Sequence, residues 1–378
     1  MLAEPSPLSV AMTVEQLWQS TPGGSGTYIA ELARALMTRT DISLTGLAAR
    51  QSGTPTLPLP STMTVRHSPL PRPALYELWS RNRRRRTTST RSGGRPDVLH
   101  ATTWAIPPHV APLVVTIHDV AFLRDPGHFT PRGNAFFRRA LQLARDEAEI
   151  VVVPSAVTAT DCVSQGIDEA RIRVIHHGVR APVVSALESQ QFRDTHGLHR
   201  PYVMWCGTLE PRKNLSTLLD AYGALLDEAP DLDLVLVGPA GWGGSADEVE
   251  SRVRRLPAGR AHLLGRLDLP DLHRAYAGAR AFCFPSTWEG FGMPALEAMA
   301  HGVPVVTSAG TSMAEISPEG AILVDPASAD EIAAGLTAAA GSRHDELAAA
   351  AANNAARFTW ERSARLHVEA YRAALGSA

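Results

Sequence analysis

The sequence predicts an α/β protein made of two Rossmann-like, doubly wound parallel-sheet domains. Three observations carry this. Short apolar runs alternate with longer stretches of helical periodicity in both halves of the chain, the pattern of parallel α/β units. Several of those runs are continuous, as in IVVVP (150–154) and AFCFP (281–285), which is how a strand covered on both faces reads. The chain has 378 residues, more than one domain usually holds, so two is the natural count.

The strand candidates, in order, are VLHA after Asp97, LVVTI (113–117), IVVVP (150–154), YVMWC (202–206), LDLVLVG (232–238), AFCFP (281–285) and VPVVT (303–307). The boundary is expected near 180–200. There RIRVIHHGV gives way to the polar stretch SALESQQFRDTHGLHR, and a fresh strand opens at Tyr202. This gives a first domain over 1–195 and a second over 196–357. Residues 358–378 form a C-terminal helix, because FTWERSARLHVEAYRAAL has apolar residues at helical spacing. Residues 51–63 read as a loop.

Composition narrows the function. The chain is 44% hydrophobic and 20% charged with a net charge of -2, which is ordinary globular composition and argues against nucleic acid as a partner. No run approaches the ~18 apolar residues of a membrane span. The start, MLAEPSPLSV, lacks a basic region followed by an apolar run, so the expected location is cytoplasmic. Cys162, Cys206 and Cys283 are widely spaced and odd in number, and they read as reduced core residues, with no zinc pattern and no redox pair. Among 36 Lys+Arg residues only Lys213 is a lysine.

Four features of the second half converge on a ligand. GTLEPRKN (207–214) follows the strand YVMWC directly, and a glycine turn at a strand's carboxyl end is where open α/β sheets bind ligands. Gly207 and Thr208 make that turn. Arg212 and Lys213 stand before the next helix, where phosphate is attracted; the plainer reading is a pair of solvated cations. STWEGFGMPALEAMAHGVPVV (286–306) places Glu289 in a loop, Gly290, Phe291 and Gly292 in the turn, and Glu297 inside the following helix. Taken alone, Glu297 reads first as an ordinary exposed helical glutamate; the whole phrase is far more specific. LVGPAGWGG (236–244) brings Gly238 to the same sheet edge, and HLLGRL (262–267) brings Arg266 and Leu267, whose loop is placed to meet a nucleotide base.

GTLEPRKN and EGFGMPALE resemble the donor-binding signatures of glycosyltransferase family 4, a family of retaining enzymes with the GT-B fold, in which two Rossmann-like domains face across a cleft. The likeness extends to VVTIHDVAFLRDPGHF, VVVPSAVTATDCV and FTWERSA and is strongest from Tyr202 to Pro326. It implies a C-terminal helix that crosses back to the first domain. It also implies that Arg212 and Lys213 bind the donor pyrophosphate and that Glu297 holds the ribose hydroxyls. Glu289, with the amides of Gly290–Phe291–Gly292, then holds the donor sugar. Many family members carry arginine directly after the glycine at Gly207; this chain has Thr208, which puts more of the phosphate neutralisation on Arg212 and Lys213.

In the first half, TPGGSGTYIAELARAL (21–36) is a glycine loop before an amphipathic helix. Ile29 stands where a dinucleotide fingerprint needs its third glycine. The resemblance brings Gly23 and Gly24 toward the donor; a purely structural turn is the alternative. His118 and Asp119 follow LVVTI, and the resemblance places His118 beside the donor sugar, where a structural histidine is the alternative. Segment 81–95 holds seven arginines, with Tyr76 and Trp79 beside it. It reads either as a solvated loop or as a surface for an anionic membrane, in keeping with a peripheral position at its inner face.

The expected chemistry is therefore transfer of a hexosyl group from a nucleotide-diphosphate sugar to a hydroxyl of a glycan or lipid-linked acceptor. Arg212, Lys213, Glu289 and His118 form the catalytic set. The resemblance implies retention of configuration. It favours GDP-mannose as donor, the bacterial mannosyltransferase pattern of polysaccharide biosynthesis, with UDP-sugars second. No cofactor and no metal are expected, because the one D-x-D, Asp231–Leu232–Asp233, stands at the approach to a strand. A nucleotide-sugar epimerase and a non-catalytic nucleotide-sugar-binding protein are the competing readings; turnover with and without an acceptor separates all three.

Overall fold

The computed structural model describes residues 6–83, 95–109, 111–228, 231–241 and 245–377. The chain divides into two compact units. The first is Met1–Gly178 together with Thr359–Ala378, and the second is Val179–Phe358.

The first unit holds seven strands: β1 (Leu8–Thr13), β2 (Ile42–Ala48), β3 (Thr64–His67), β4 (Val98–Ala101), β5 (Leu113–Thr116), β6 (Ile150–Val153) and β7 (Ile172–Val174). Their order across the sheet is β3-β2-β1-β4-β5-β6-β7, and every pairing is parallel. The second unit holds β8 (Tyr202–Cys206), β9 (Asp233–Val237), β10 (Ala261–Gly265), β11 (Ala281–Phe284), β12 (Val305–Ser308) and β13 (Ala321–Val324). These run β10-β9-β8-β11-β12-β13, again all parallel. In each sheet the order reverses beside the unit's first strand. A parallel sheet leaves its ligand crevice there, outside the carboxyl ends of the strands. The two reversal points lie between β1 and β4 and between β8 and β11.

All seven strands read from the sequence are present, and the continuous apolar ones are buried along their whole length: β4, β5, β6, β9, β11 and β12. Strands β1, β2, β3, β7 and β13 are additions, and β10 coincides with the run HLLGRL. The chain passes from first to second unit at Gly178, not near 195. The polar stretch SALESQQFRDTHGLHR contains the helix Ala186–Thr195, opened by a capping box in which Ser185 and Glu188 satisfy each other's backbone donors. Phe192 anchors that helix in the core of the second unit, beside Leu198 and Tyr202.

The C-terminal helix Trp360–Gly376 packs in the first unit, against the helix Gly23–Met37 and against β4, β5 and β6. Its inner face carries His367 and Tyr371, both fully buried. His367 Nδ1 lies 2.8 Å from the Ser363 carbonyl, and a carbonyl only accepts, so that nitrogen carries the proton and Nε2 accepts. The rest follows in one direction. Tyr28 donates to His367 Nε2 at 2.8 Å, Thr116 donates to the Tyr28 oxygen at 2.8 Å, His100 Nε2 donates to Thr116 at 2.8 Å, and Tyr371 donates to His100 Nδ1 at 2.9 Å. The chain of bonds begins and ends on the C-terminal helix. Burial pushes His100 well below its usual value and holds His367 down at about 4, so both stay neutral, as the chain requires.

Tyr28→Phe breaks this relay in its middle: the Thr116 hydroxyl loses the oxygen it donates to, and His367 Nε2 loses its donor. We expect it to cost about 1–3 kcal/mol, read by denaturant unfolding of the whole chain. A change within 0.5 kcal/mol, about the scatter of neutral substitutions, would show the relay to be dispensable.

Candidate active site

The candidate site in the second unit is built on the loops that follow β8 and β11, the two strands flanking the reversal of order. After β8 the chain runs through Gly207, Thr208 and Leu209 to a single 3-10 turn, Pro211–Lys213. It then places Asn214 in the left-handed region (φ 56°) before the helix Leu215–Glu228. Asparagine suits that conformation better than most residues, and its side chain has a second task. Asn214 Nδ2 donates to the Pro285 carbonyl at 3.1 Å and the Pro326 carbonyl at 2.6 Å, while its Oδ1 accepts from Thr217 at 2.7 Å. The Thr287 amide donates to the Arg212 carbonyl at 2.9 Å. The two loops are thus fastened together at several points.

The loops meet at a charged cluster. Lys213 is 6% exposed and Glu289 is 8% exposed. Lys213 Nζ lies 2.5 Å from Glu289 Oε1, and Arg212 Nη1 reaches the same oxygen at 2.8 Å. Arg212 Nε also donates to Glu210 at 3.0 Å, and the Lys213 ammonium sits 4.7 Å from the Phe284 ring centroid. Burial works against both charges. It lowers Lys213, opposed mainly by Glu289. Burial would raise Glu289, but Arg212 and Lys213 overcome it and hold the carboxyl at about 2. A buried lysine beside a firmly ionised carboxylate is a preformed cationic site whose charge is matched until an anion arrives.

Glycines bring these backbones close. Gly238 has φ +142°, and a Cβ there would lie 1.8 Å from the Gly207 carbonyl oxygen; one at Gly241 would lie 2.0 Å from the Leu209 carbonyl oxygen. The turn after β9 therefore serves as the bed on which Gly207, Thr208 and Leu209 rest. Residues 242–244 lie outside the described residues. Arg266 and Leu267 follow β10 at the same carboxyl edge, Arg266 exposed and Leu267 half-buried.

After β11, Ser286–Phe291 form the loop, and Gly292, in the left-handed region (φ 102°), opens the helix Met293–Ala300. Ser312 is fully buried and donates to the Glu289 carbonyl (2.8 Å) and the Phe291 carbonyl (3.2 Å), fixing the turn around Gly290. Sequence reasoning missed Ser312, which lies 23 residues beyond Glu289. Glu297 is half-buried on the helix and accepts from Tyr276 at 3.0 Å. It is therefore no ordinary exposed glutamate. Burial raises its carboxyl to about 7, with the Tyr276 bond pulling the other way.

A carboxyl whose folded value exceeds its ordinary 4.5 binds its proton more tightly in the fold. The stability it contributes is complete below about 4.5 and is lost as pH rises through about 7. Glu297→Gln removes that ionisation. The expected result is a melting temperature raised at pH 8 and little changed at pH 5; an equal shift at both would contradict the assignment.

The first unit supplies the remaining candidates. Gly23, with φ +63°, opens the helix Gly23–Met37, which has no side-chain cap, and a Cβ at Gly23 or Gly24 would meet nothing within 4 Å. His118 Nε2 donates to the Thr102 carbonyl at 3.0 Å, which leaves Nδ1 as an acceptor. Its ring stands 4.9 Å from Tyr28 and 5.6 Å from His177, and burial lowers its proton affinity. Asp119 caps the loop through the Ala121 amide at 3.0 Å. Asp233 of the D-x-D opens β9 and pairs with Arg260 at 2.8 Å, away from the carboxyl edge. Most of the arginine segment, 84–94, lies outside the described residues. Arg83 is tied down, bonded to Glu147 and to the Trp79 and Ile106 carbonyls. Among the described residues no helix is long and apolar enough to cross a membrane.

Comparison with known proteins fits this architecture. Residues 22–181 match the family described as Glycosyltransferase Family 4, and residues 188–358 match Glycosyl transferases group 1. The chain belongs to glycosyltransferase family 4. Similar curated proteins of this kind include the O-antigen chain mannosyltransferase B of Escherichia coli, 28% identical over 73% of this chain and 74% of that protein. The D-inositol 3-phosphate glycosyltransferase of Mycobacterium marinum is 30% identical over 77% of this chain and 66% of its own length. Among solved structures, an Anabaena protein crystallised with UDP and glucose aligns with a TM-score of 0.75 at 20% identity, covering 96% of this chain and 98% of that one. Sucrose-phosphate synthase from Thermosynechococcus elongatus aligns with a TM-score of 0.75 at 20% identity, covering 98% and 100%. This family 4 glycosyltransferase therefore has the GT-B fold, with a parallel sheet in each unit.

Proposed function

We propose that this glycosyltransferase moves a hexosyl group from a nucleotide-diphosphate sugar to a hydroxyl of a glycan or lipid-linked acceptor, with retention of configuration and without a metal. The observation that carries the reading is the buried cluster of Lys213, Arg212 and Glu289 at the carboxyl edge, between β8 and β11. In the reaction the bond from the sugar's anomeric carbon to the phosphate oxygen breaks, leaving negative charge on the diphosphate. Arg212 and Lys213 are suited to take that charge as preorganised donors, the lysine itself buried. Their arrival at the phosphate frees Glu289 to accept sugar hydroxyls, with the amides of Gly290–Phe291–Gly292 beside it. Glu297 suits the ribose, and the loop of Arg266 and Leu267 suits the base. His118, with Nδ1 left as an acceptor, suits a sugar hydroxyl. The acceptor oxygen attacks on the face from which the diphosphate leaves, and its proton passes to the departing phosphate oxygen.

GDP-mannose is the donor we favour, supported by the Escherichia coli relative, named as a mannosyltransferase. A UDP-sugar is the second reading, favoured by the solved neighbour crystallised with UDP and glucose. Calorimetric titration of the purified protein with GDP-mannose, UDP-glucose, UDP-N-acetylglucosamine, GDP and UDP, with and without EDTA, decides between them. One nucleotide family binding equally well in EDTA is the expected result. Binding abolished by EDTA would overturn the metal-free site, and binding of none would overturn the donor reading.

A further inference from the structure

Glu297 is held from behind by a group that no donor motif contains. Tyr276 lies on the helix Leu269–Gly278 and is fully buried. Its ring is fixed on two sides, stacked on His301 at 6.0 Å and 13°, and packed against Phe282 at 5.5 Å. His301 is itself held by a 2.9 Å bond to His273. The phenol therefore has one direction in which to point, and it points at Glu297 Oε2, 3.0 Å away. The Cys206 thiol, at the end of β8, adjoins the same hydroxyl. Glu297 Oε1 takes no hydrogen bond from any described residue, so Tyr276 holds one carboxylate oxygen and leaves the other without a partner among them.

We infer that Tyr276 is a positioning residue for nucleotide recognition: it locks the Glu297 carboxylate so that the open oxygen reads the ribose hydroxyls of the donor. The inference rests on the nucleotide-sugar reading above and deepens it, because it assigns selection of ribonucleotide over deoxyribonucleotide to a Tyr276–Glu297 pair. A free glutamate side chain turns among rotamers and meets a ribose hydroxyl only part of the time. A phenol donor on one oxygen removes that freedom before the ligand arrives, so less is lost on binding. The phenol also supplies a hydrogen bond that offsets part of the cost of burying this carboxylate.

The test compares affinities of the full chain for GDP and UDP with those for their 2′-deoxy and 3′-deoxy forms. Wild type should prefer the ribonucleotide of its own base by about tenfold, the worth of a hydrogen bond to a charged group. Tyr276→Phe keeps the ring and its stacking, and it should bring that preference down toward parity. In a Glu297→Gln background the same substitution should change nothing further, since the group it positions no longer carries the charge. An undiminished ribose preference in Tyr276→Phe would overturn the inference and leave the nucleotide-sugar reading standing. Absence of any nucleotide binding by wild type would overturn both. Should Tyr276→Phe fail to fold, His301→Ala, which strips one stacking face from the tyrosine, should lower the preference part-way; no change there would also overturn it.

Discussion

Replacing Lys213 with alanine is expected to lower glycosyl transfer by about 10²–10³ while the protein still folds. The magnitude is that of removing one preorganised group that meets charge developing in the transition state. The fold should survive because Glu289 keeps Arg212, whose Nη1 lies 2.8 Å from the same oxygen, so no buried carboxylate is stranded. Lys213→Arg should be nearly as damaging. The site holds a compact ammonium 2.5 Å from Glu289 and 4.7 Å above the Phe284 ring, and a planar guanidinium has a different shape and reach. Single-turnover transfer and calorimetric donor affinity, measured together, check the expectation. Normal turnover with normal donor affinity in Lys213→Ala would rule out a phosphate role for the chain's single lysine.

The second large effect comes from a residue with no side chain. Gly238→Ala should abolish donor binding and destabilise the second unit by on the order of 3 kcal/mol or more. A methyl group there falls 1.8 Å from the Gly207 carbonyl oxygen, and φ of +142° is backbone that other residues rarely adopt. Neither obstacle is the end of a flexible side chain that could swing away. Gly223, in the middle of the helix Leu215–Glu228, is the natural control: a Cβ there meets nothing within 4 Å. Gly223→Ala should be neutral or stabilise by up to about 1 kcal/mol. Thermal melts of the two variants side by side test the contrast. If both behave alike, close backbone approach is not what Gly238 is for.

These two residues also mark what could be read from the sequence. Lys213 and Glu289 stood out because a turn after a buried strand concentrates unusual residue types in a few adjacent positions. Their supports did not stand out. Ser312, Asn214 and Tyr276 act from other elements or through backbone carbonyls, and a serine, an asparagine and a tyrosine at those positions look like any others. The strands followed a similar rule. Buried strands such as β6 (IVVV) and β11 (AFCF) announce themselves by apolar content. β3 (TVRH) sits at a sheet edge with its ends exposed, and β1 (LSVAMT) mixes polar residues into a buried position. The early crossing at Gly178 was hidden because the helix Ala186–Thr195 is polar on most of its surface, with Phe192 as its one buried anchor. The pair Ser185 and Glu188, three residues apart, was the available signal for that helix.

The first unit is interrupted. Its last helix, Trp360–Gly376, carries Ser363, His367 and Tyr371, the groups that close both ends of the buried relay through His100, Thr116 and Tyr28. During synthesis those groups leave the ribosome only after the whole of Val179–Phe358 has been made. The second unit can thus finish folding while the first still lacks one wall, with Tyr28, His100 and Thr116 waiting for partners. A nascent chain arrested after Phe358 should therefore carry a protease-resistant second unit and a protease-sensitive first one, although the first was translated earlier.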